Sequence, residues 1–433
     1  TASDVGVTED TISIGIAIAD LEAVRAAGIS IPETLTTEHL FDRWNKYAEA
    51  WNADGGISGR QIEFVQVTWD PLDPASFDEL CAEASINQEL FMVLNGTGLN
   101  AVAMQCLVDA GVPVFYGDVV AQSLLDSGLM VTLAPSTEVV ARAGIKVWLD
   151  ETDLAAGAKV GVLASNSPSI SAAGAAAQEA LEEAGYDVEL IETNSLAGDN
   201  AATQEEAAAA VGTFLANGVE HAFVTTPFTE NGGFWTAAAG QLEYTLLDTA
   251  SSQCSPFGLS RAPANAGGSS CVTAYDHSTS LGSGIRPDSD FEAECRAFFD
   301  ENFSEYYGGP SNPGVPAGQK ITDAAGTVLV SDYAPQECTM SNVLLKALTN
   351  GGVNPTRDSV LAAMLDLGEV PMALASNGTG TLRPDKPYAA DQVHTVVVTI
   401  VAADTAPGDN GTYNGCAAPV SCGIVTSEWV AIE

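Results

Sequence analysis

Between Thr11 and Leu242 short strand-like runs and amphipathic helical segments take turns along the chain, and that alternation leaves few architectures open. Thr11–Ala19 alternates apolar and small residues at period two, as a strand does. Leu40, Trp44, Tyr47, Ala48 and Trp51 then recur at helical spacing until Asn52-Ala-Asp-Gly-Gly56 breaks the pattern. The spacing next predicts a strand over 61–69, a helix over 76–88, a strand over 90–94, a helix over 100–109 and a strand over 112–116. A second series has the same rhythm, with helices over 137–151, 171–184, 204–216 and 231–242 and strands over 159–164, 187–192 and 221–225. Strands separated by helices in this order pair in parallel, with helices on both faces of the sheet. The expectation is an α/β protein of two doubly wound parallel-sheet lobes. Open sheets of this kind bind ligands outside the carboxyl ends of their strands, so two lobes facing one another enclose a single cleft.

Beyond Cys271 the rhythm breaks into helices over 289–306, 333–348 and 356–367, with a Gly/Pro-rich loop at 308–318. Strand-like runs at 394–403 and 423–430 end the chain, and these late elements are expected to pack back onto both lobes. A chain of 433 residues is long enough for two or three compact units.

The balance of 15 Lys plus Arg against 57 Asp plus Glu, a formal charge of -42, repels polyanions and excludes nucleic acid as a partner. It suits a solvated surface in a salty or extracytoplasmic setting. No apolar run approaches the roughly 18 to 20 residues of a membrane span. Eight cysteines without metal-ligand spacing point to disulfides and an oxidising compartment. Taken as nearest neighbours in order they pair Cys81 with Cys106, Cys254 with Cys271, Cys295 with Cys338 and Cys416 with Cys422. The start TASDVGVTED is polar and acidic, so the expectation is that an export signal has been removed.

Catalytic signatures are scarce. His39, His221, His277 and His394 are isolated from one another, and no nucleophile elbow, Walker loop or complete dinucleotide fingerprint occurs. The expectation is therefore no enzyme, no cofactor and no metal. Polar and aromatic residues gather where strands end: Asp20, Thr97, Asn100, Tyr116 and Asp118 in the first series, and Ser165, Asn166, Thr226 and Phe228 in the second. Thr97, Gly98 and Gly117 lie on loops suited to offer backbone N–H groups and a hydroxyl to an anionic oxygen. Tyr116, Phe228 and Tyr275 would supply apolar walls.

The segment Asn52-Ala-Asp-Gly-Gly-Ile-Ser-Gly-Arg60, with Tyr333-Ala-Pro-Gln-Glu, Gly351-Gly-Val-Asn and Arg357-Asp-Ser-Val-Leu-Ala-Ala-Met, resembles the type I periplasmic binding proteins. The resemblance is to the branched-chain amino acid binding proteins of ABC transporters among them, and it covers nearly the whole chain. It implies two lobes joined by a three-crossover hinge, with residues 1–133 and 272–372 in the first and 134–271 and 373–433 in the second. It also implies closure around a ligand without chemistry. The family's carboxylate-holding loops correspond to Gly96–Asn100 and Tyr116–Asp118, and its second-lobe contacts to the neighbourhoods of Ser169 and of Thr226–Phe228.

Two departures stand out. The loop from Asp20 to Glu33 is longer than the family's usual one, and Asp248-Thr-Ala-Ser-Ser-Gln253 puts small polar residues such as Ser251 where an amino acid binder places an acid against the ligand's ammonium. An unpaired buried ammonium is expensive, so the expected ligand is a small carboxylate-bearing organic solute rather than a standard branched-chain amino acid. Asp118 or Asp276 could stand in for the missing acid, which keeps an amino acid as the alternative. The expected partner is an ABC permease, and the expected state is a monomer, extracytoplasmic, either periplasmic or anchored at the cell surface as a lipoprotein. A ligand-sensing receptor domain of the same fold is the other reading.

Overall fold

A computed structural model describes the chain except residues 1, 27–35, 72, 74, 97, 100, 196–198, 228–229, 250–252, 260–261, 277–287, 308–319, 323–327, 331–333, 403, 409–412, 417–420 and 433. The expected 308–318 loop and His277 therefore lie outside the described residues, as does the second half of the loop from Asp20 to Glu33.

The first sheet is built from β1 (Thr11–Ala19), β2 (Gln61–Trp69), β3 (Val93–Asn95), β4 (Val114–Tyr116) and β5 (Met130–Thr132), in the order β2-β1-β3-β4-β5. Every pair in it is parallel. Its connections carry α1 (Leu21–Ala26), α2 (Thr37–Ala53), α3 (Ala75–Ala82), α4 (Ala101–Asp109) and α5 (Gln122–Leu125). β2 is an edge strand whose buried and exposed residues alternate, whereas β1 is interior and its second half is buried on both faces. The expected 76–88 helix ends as an α-helix at Ala82 and continues as a π-turn over Glu83–Asn87.

In the second sheet β6 (Lys159–Ser165), β7 (Asp187–Thr193), β8 (His221–Val224), β9 (Glu243–Leu247) and β10 (Ser270–Thr273) run parallel. α6 (Thr137–Glu151) precedes β6, and between the strands lie α7 (Pro168–Glu183), α8 (Asn200–Ala216), α9 (Gly232–Ala238) and α10 (Pro256–Leu259). The expected 231–242 helix stops at Ala238, and the unforeseen β9 takes a central, buried place between β8 and β10.

The late region holds α11 (Asp290–Tyr307), a hairpin of β11 (Lys320–Thr322) and β12 (Val328–Val330), then α12 (Pro335–Asn350) and α13 (Arg357–Leu365). A second hairpin, β13 (Gly368–Pro371) and β14 (Thr379–Leu382), precedes β15 (Gln392–Thr399), β16 (Cys422–Val425) and β17 (Val430–Ala431). β15 joins β10 in antiparallel fashion, and β16 and β17 pair with β15, so the chain's end completes the second sheet.

The crossings between sheets fall where the ladders allow. β10 pairs through Ser270–Thr273 with β9 and β15, so an expected limit at 271/272 would cut a strand out of its own sheet. Residues 387–390 bind the edge of the first sheet: the Thr132 N–H donates to the Pro387 carbonyl, and Ala389 and Ala390 N–H groups donate to Thr132 and Leu133. The chain thus passes between sheets at 133–136, 274–276 and 390–391, the last some way beyond the expected 372/373.

The glycine turn that carried the family resemblance has a mechanical role. Gly56 has φ +68°, and a Cβ there would lie 2.0 Å from the Arg60 carbonyl oxygen, so no other residue fits the close Ile57–Arg60 pairing. Arg60 is itself buried, and its guanidinium donates to the carbonyls of Thr8 at 2.8 Å and Val353 at 2.7 Å. The turn thereby ties the amino terminus to the segment before α13.

All eight cysteines are paired, in the four combinations expected from their order. Among the described residues no helix is long and apolar enough to cross a membrane.

Candidate ligand-binding cleft

The two sheets meet at the carboxyl ends of their strands. Tyr275, just after β10, is 2% exposed, and its hydroxyl donates at 2.6 Å to the carbonyl of Gly117, just after β4. Burial, then the negative charge of Asp118 and Asp248, pushes the Tyr275 phenol well above its ordinary range and keeps it a neutral donor. Its own carbonyl lies 3.1 Å from His394 Nε2, which must carry the proton, and the His394 ring stacks on Trp429.

On the first-lobe rim most polar groups serve the protein. Asp20 Oδ1 accepts the Ala23 N–H at 2.9 Å, so Asp20 holds the start of α1. Asp118 is buried, and its Oδ1 accepts the Val119 N–H at 2.8 Å. The Gly98 N–H donates to the Tyr116 hydroxyl at 3.2 Å, and the Gly117 N–H donates to the Asn95 carbonyl at 2.9 Å. The Gly98 and Gly117 N–H groups are thus engaged within the rim in this structure, the first by a side-chain hydroxyl and the second by a backbone carbonyl. Gly117 is a glycine for another reason: a Cβ would lie 2.1 Å from the Gly96 carbonyl oxygen, so the loops after β3 and β4 touch backbone to backbone. Behind Gly96 sits a buried ion pair, Arg43 of α2 with Glu337 of α12. Thr97 and Asn100 lie outside the described residues.

The second-lobe rim is cross-braced by hydroxyls. Thr193 donates to the Ala164 carbonyl at 3.3 Å, Thr225 to Leu163 at 3.1 Å and Thr249 to Thr225 at 2.8 Å, linking the ends of adjacent strands. Thr226 donates to the Asn231 side-chain oxygen while Asn231 Nδ2 donates back to the Thr226 carbonyl at 2.9 Å, so this hydroxyl closes its own turn. Asn166 Nδ2 donates to Asn194, and the Ser169 carbonyl receives the Thr137 hydroxyl at 3.0 Å, at the start of α6. Asp248 accepts the Gln253 N–H at 2.7 Å and the Thr273 hydroxyl at 2.6 Å, and burial pushes its carboxyl up to about 6. Phe228 and Ser251 lie outside the described residues.

Other polar groups on this rim have no partner in the protein. The Oγ of Ser165, the last residue of β6, is buried without one. So are Oε2 of Glu230, in the turn after β8, and both amide atoms of Gln253, in the loop after β9. Burial pushes the Glu230 carboxyl up to about 7. Glu230 and Gln253 did not emerge from the sequence. The available signal was their place after strand ends, and for Gln253 that signal requires reading Glu243–Leu247 as a strand.

No protein-family model and no curated protein sequence matches the chain. Solved structures do. A fatty acid ABC transporter substrate-binding protein from Thermomonospora curvata superposes with a TM-score of 0.63 at 16% identity, covering 100% of this chain and 93% of its own. A solute-binding protein of an ABC transporter from Rhodopseudomonas palustris HaA2, in complex with p-hydroxybenzoic acid, gives 0.64 at 14% identity and covers 98% of each chain. A substrate-binding protein from Desulfitobacterium hafniense in complex with leucine gives 0.57 at 15%, covering 90% of this chain and 97% of its own. With its two parallel sheets, three passages between them and a rim-to-rim contact, the chain has the type I periplasmic binding protein fold, which it shares with substrate-binding proteins of ABC transporters.

Proposed function

We propose that this chain is an extracytoplasmic solute-binding protein that closes its two lobes on a small organic acid and delivers it to the permease of an ABC importer. The observation that carries the reading is the meeting of the two strand-end rims at Tyr275 and Gly117, in a fold whose solved neighbours hold leucine or p-hydroxybenzoic acid. Both of those ligands are carboxylic acids. Capture needs no bond-breaking, only tighter binding to the closed state than to the open one. The lobes in this reading comprise residues 1–133 with 277–390, and 134–276 with 391–433, and the protein acts as a monomer. Four disulfides support function outside the reducing cytoplasm.

The test is calorimetry with leucine, benzoate, 4-hydroxybenzoate, hexanoate and 6-hydroxyhexanoate, beside native mass spectrometry of the purified protein and small-angle scattering with and without ligand. Micromolar or tighter binding of one of the acids lacking an amine, with a smaller radius of gyration on saturation, is expected. Binding of leucine alone would replace the acid by an amino acid. No co-purifying solute and no binding across the panel would overturn the reading.

A further inference from the structure

We propose that Ser165, Glu230 and Gln253 form the selective half of the cleft and hold an uncharged hydrogen-bonding group, a hydroxyl or carboxamide, at the end of the ligand remote from its carboxylate. This rests on the small-acid reading and specifies the rest of the molecule.

The strands that precede these residues are neighbours in the second sheet, in the order β9-β8-β6, and all run parallel. Adjacent strands lie about 4.8 Å apart, so the three loops leave one edge side by side within roughly 10 Å. The same edge carries Tyr275 after β10, whose contact with Gly117 shows that it faces the first lobe. Ser165 and Gln253 are 0% exposed and Glu230 is 8% exposed, and four of their polar atoms have no partner in the protein. A buried polar group left unpaired costs about 1–3 kcal/mol, and native structures rarely gather several in one place without something to pair them. The threonine bridges between strand ends keep the edge from collapsing to satisfy them internally.

Charge selects the class of partner. Among the described residues this lobe buries no lysine or arginine, so a carboxylate reaching this edge would find no countercharge. Nor do the acids in the loops after β8 and β9 offer an ammonium a committed anion, because the Asp248 carboxyl is occupied by the Gln253 N–H and the Thr273 hydroxyl and burial favours the neutral form of Glu230. A Gln amide both donates and accepts, and a serine hydroxyl does either. That set is complementary to a group that itself donates and accepts, which a hydroxyl or carboxamide does and an ammonium does not.

The experiment compares matched pairs, benzoate with 4-hydroxybenzoate and hexanoate with 6-hydroxyhexanoate, on the full chain and on Gln253→Met and Ser165→Ala, each variant's fold checked by thermal unfolding. In whichever pair binds, the hydroxylated member should bind about tenfold more tightly to the parent, the value of one hydrogen bond to an otherwise unpaired group. In Gln253→Met that preference should shrink toward unity, with the larger loss of affinity falling on the hydroxylated member. Ser165→Ala, the smaller change, should reduce the preference in part. Equal binding of both members to the parent, or a preference that survives in both variants, overturns this proposal and leaves the small-acid reading standing. No binding by either pair overturns this proposal, and if leucine also fails to bind and no solute co-purifies, the small-acid reading falls with it.

Discussion

The two lobes share a chain rhythm but bury charge in opposite ways. The first lobe buries cations and gives each a partner. Arg43 meets Glu337, Arg60 binds two carbonyls, and Lys386 Nζ donates to the carbonyls of Thr381 at 2.8 Å and Tyr388 at 2.7 Å while pairing with Asp391 at 2.9 Å. Half-buried Arg357 binds the carbonyls of Leu90, Phe91 and Gly111. In the second lobe burial favours the uncharged form of three ionisable groups: it pulls His221 down to about 4 and pushes Glu230 up to about 7 and Asp248 up to about 6. The first arrangement locks late helices onto an early sheet. The second leaves buried polar atoms of Ser165, Glu230 and Gln253 without a partner in the protein near its strand ends.

Removing a buried cation should break the contrast most sharply. Arg43→Met leaves Glu337 buried without its ion-pair partner, and a loss of about 3–5 kcal/mol in urea unfolding is expected. A change below 1 kcal/mol would mean that the first lobe does not depend on its ion pairs.

The disulfides come next. Cys295–Cys338 spans 43 residues and joins α11 to α12, so replacing both by serine should cost roughly 2–4 kcal/mol. Cys254–Cys271 in the second lobe spans only 17 residues and should cost less. Equal losses would indicate that loop length does not govern the effect here.

The pH dependence sharpens the second lobe's side of the contrast. Glu230 titrates near 7 in the folded chain against an ordinary value of 4.5, so between these the folded state binds more protons than the unfolded one. Its contribution to stability is full below about 4.5 and is lost as pH rises toward 7. Glu230→Gln should therefore gain stability relative to the parent across that window, by up to roughly 3 kcal/mol. His221 acts in the opposite sense, since a value near 4 instead of 6.5 favours its neutral form when folded, and stability is lost as pH falls through that range. His221→Gln should flatten that loss. Matching pH profiles for the two variants would remove the distinction between them.

The smallest effect belongs to an exposed charge. Lys46 pairs with Glu49 at 2.7 Å on the surface of α2, and Lys46→Ala should change stability by less than about 0.5 kcal/mol. A larger loss would show that charge itself, rather than burial, separates the lobes.

Much of the architecture was legible before any coordinates. The α6 helix runs over Thr137–Glu151 as its spacing predicts, because Ser136 caps it by accepting the Val139 N–H and Val140, Ala141, Ala143, Gly144, Ile145 and Val147 form its buried face. β9 was not legible. Glu243-Tyr-Thr-Leu-Leu247 is a short run buried on both faces, and such a run has no alternation to distinguish it from the tail of the preceding helix. The segment Asp248–Gln253 was singled out only through the family resemblance, and without β9 nothing in the local pattern marked Gln253 as following a strand end. Gly98 and Gly117 show a related limit of reading a site from sequence. Both were well placed at strand ends, but whether a backbone N–H is free depends on what lies opposite it, here Tyr116 and Asn95.

By itself the sequence determined the order of elements, the stop at Gly55-Gly56 and the α/β class, because periodicity, capping and turn chemistry are local properties that the chain carries wherever it lies. Only the tertiary structure decided where the chain crosses between sheets, which cations are buried and which polar atoms are left without a partner in the protein. Those depend on contacts between residues far apart in sequence, such as Arg43 with Glu337 and Tyr275 with Gly117, and hydrogen-bond satisfaction can be reckoned only once each donor has its neighbours around it.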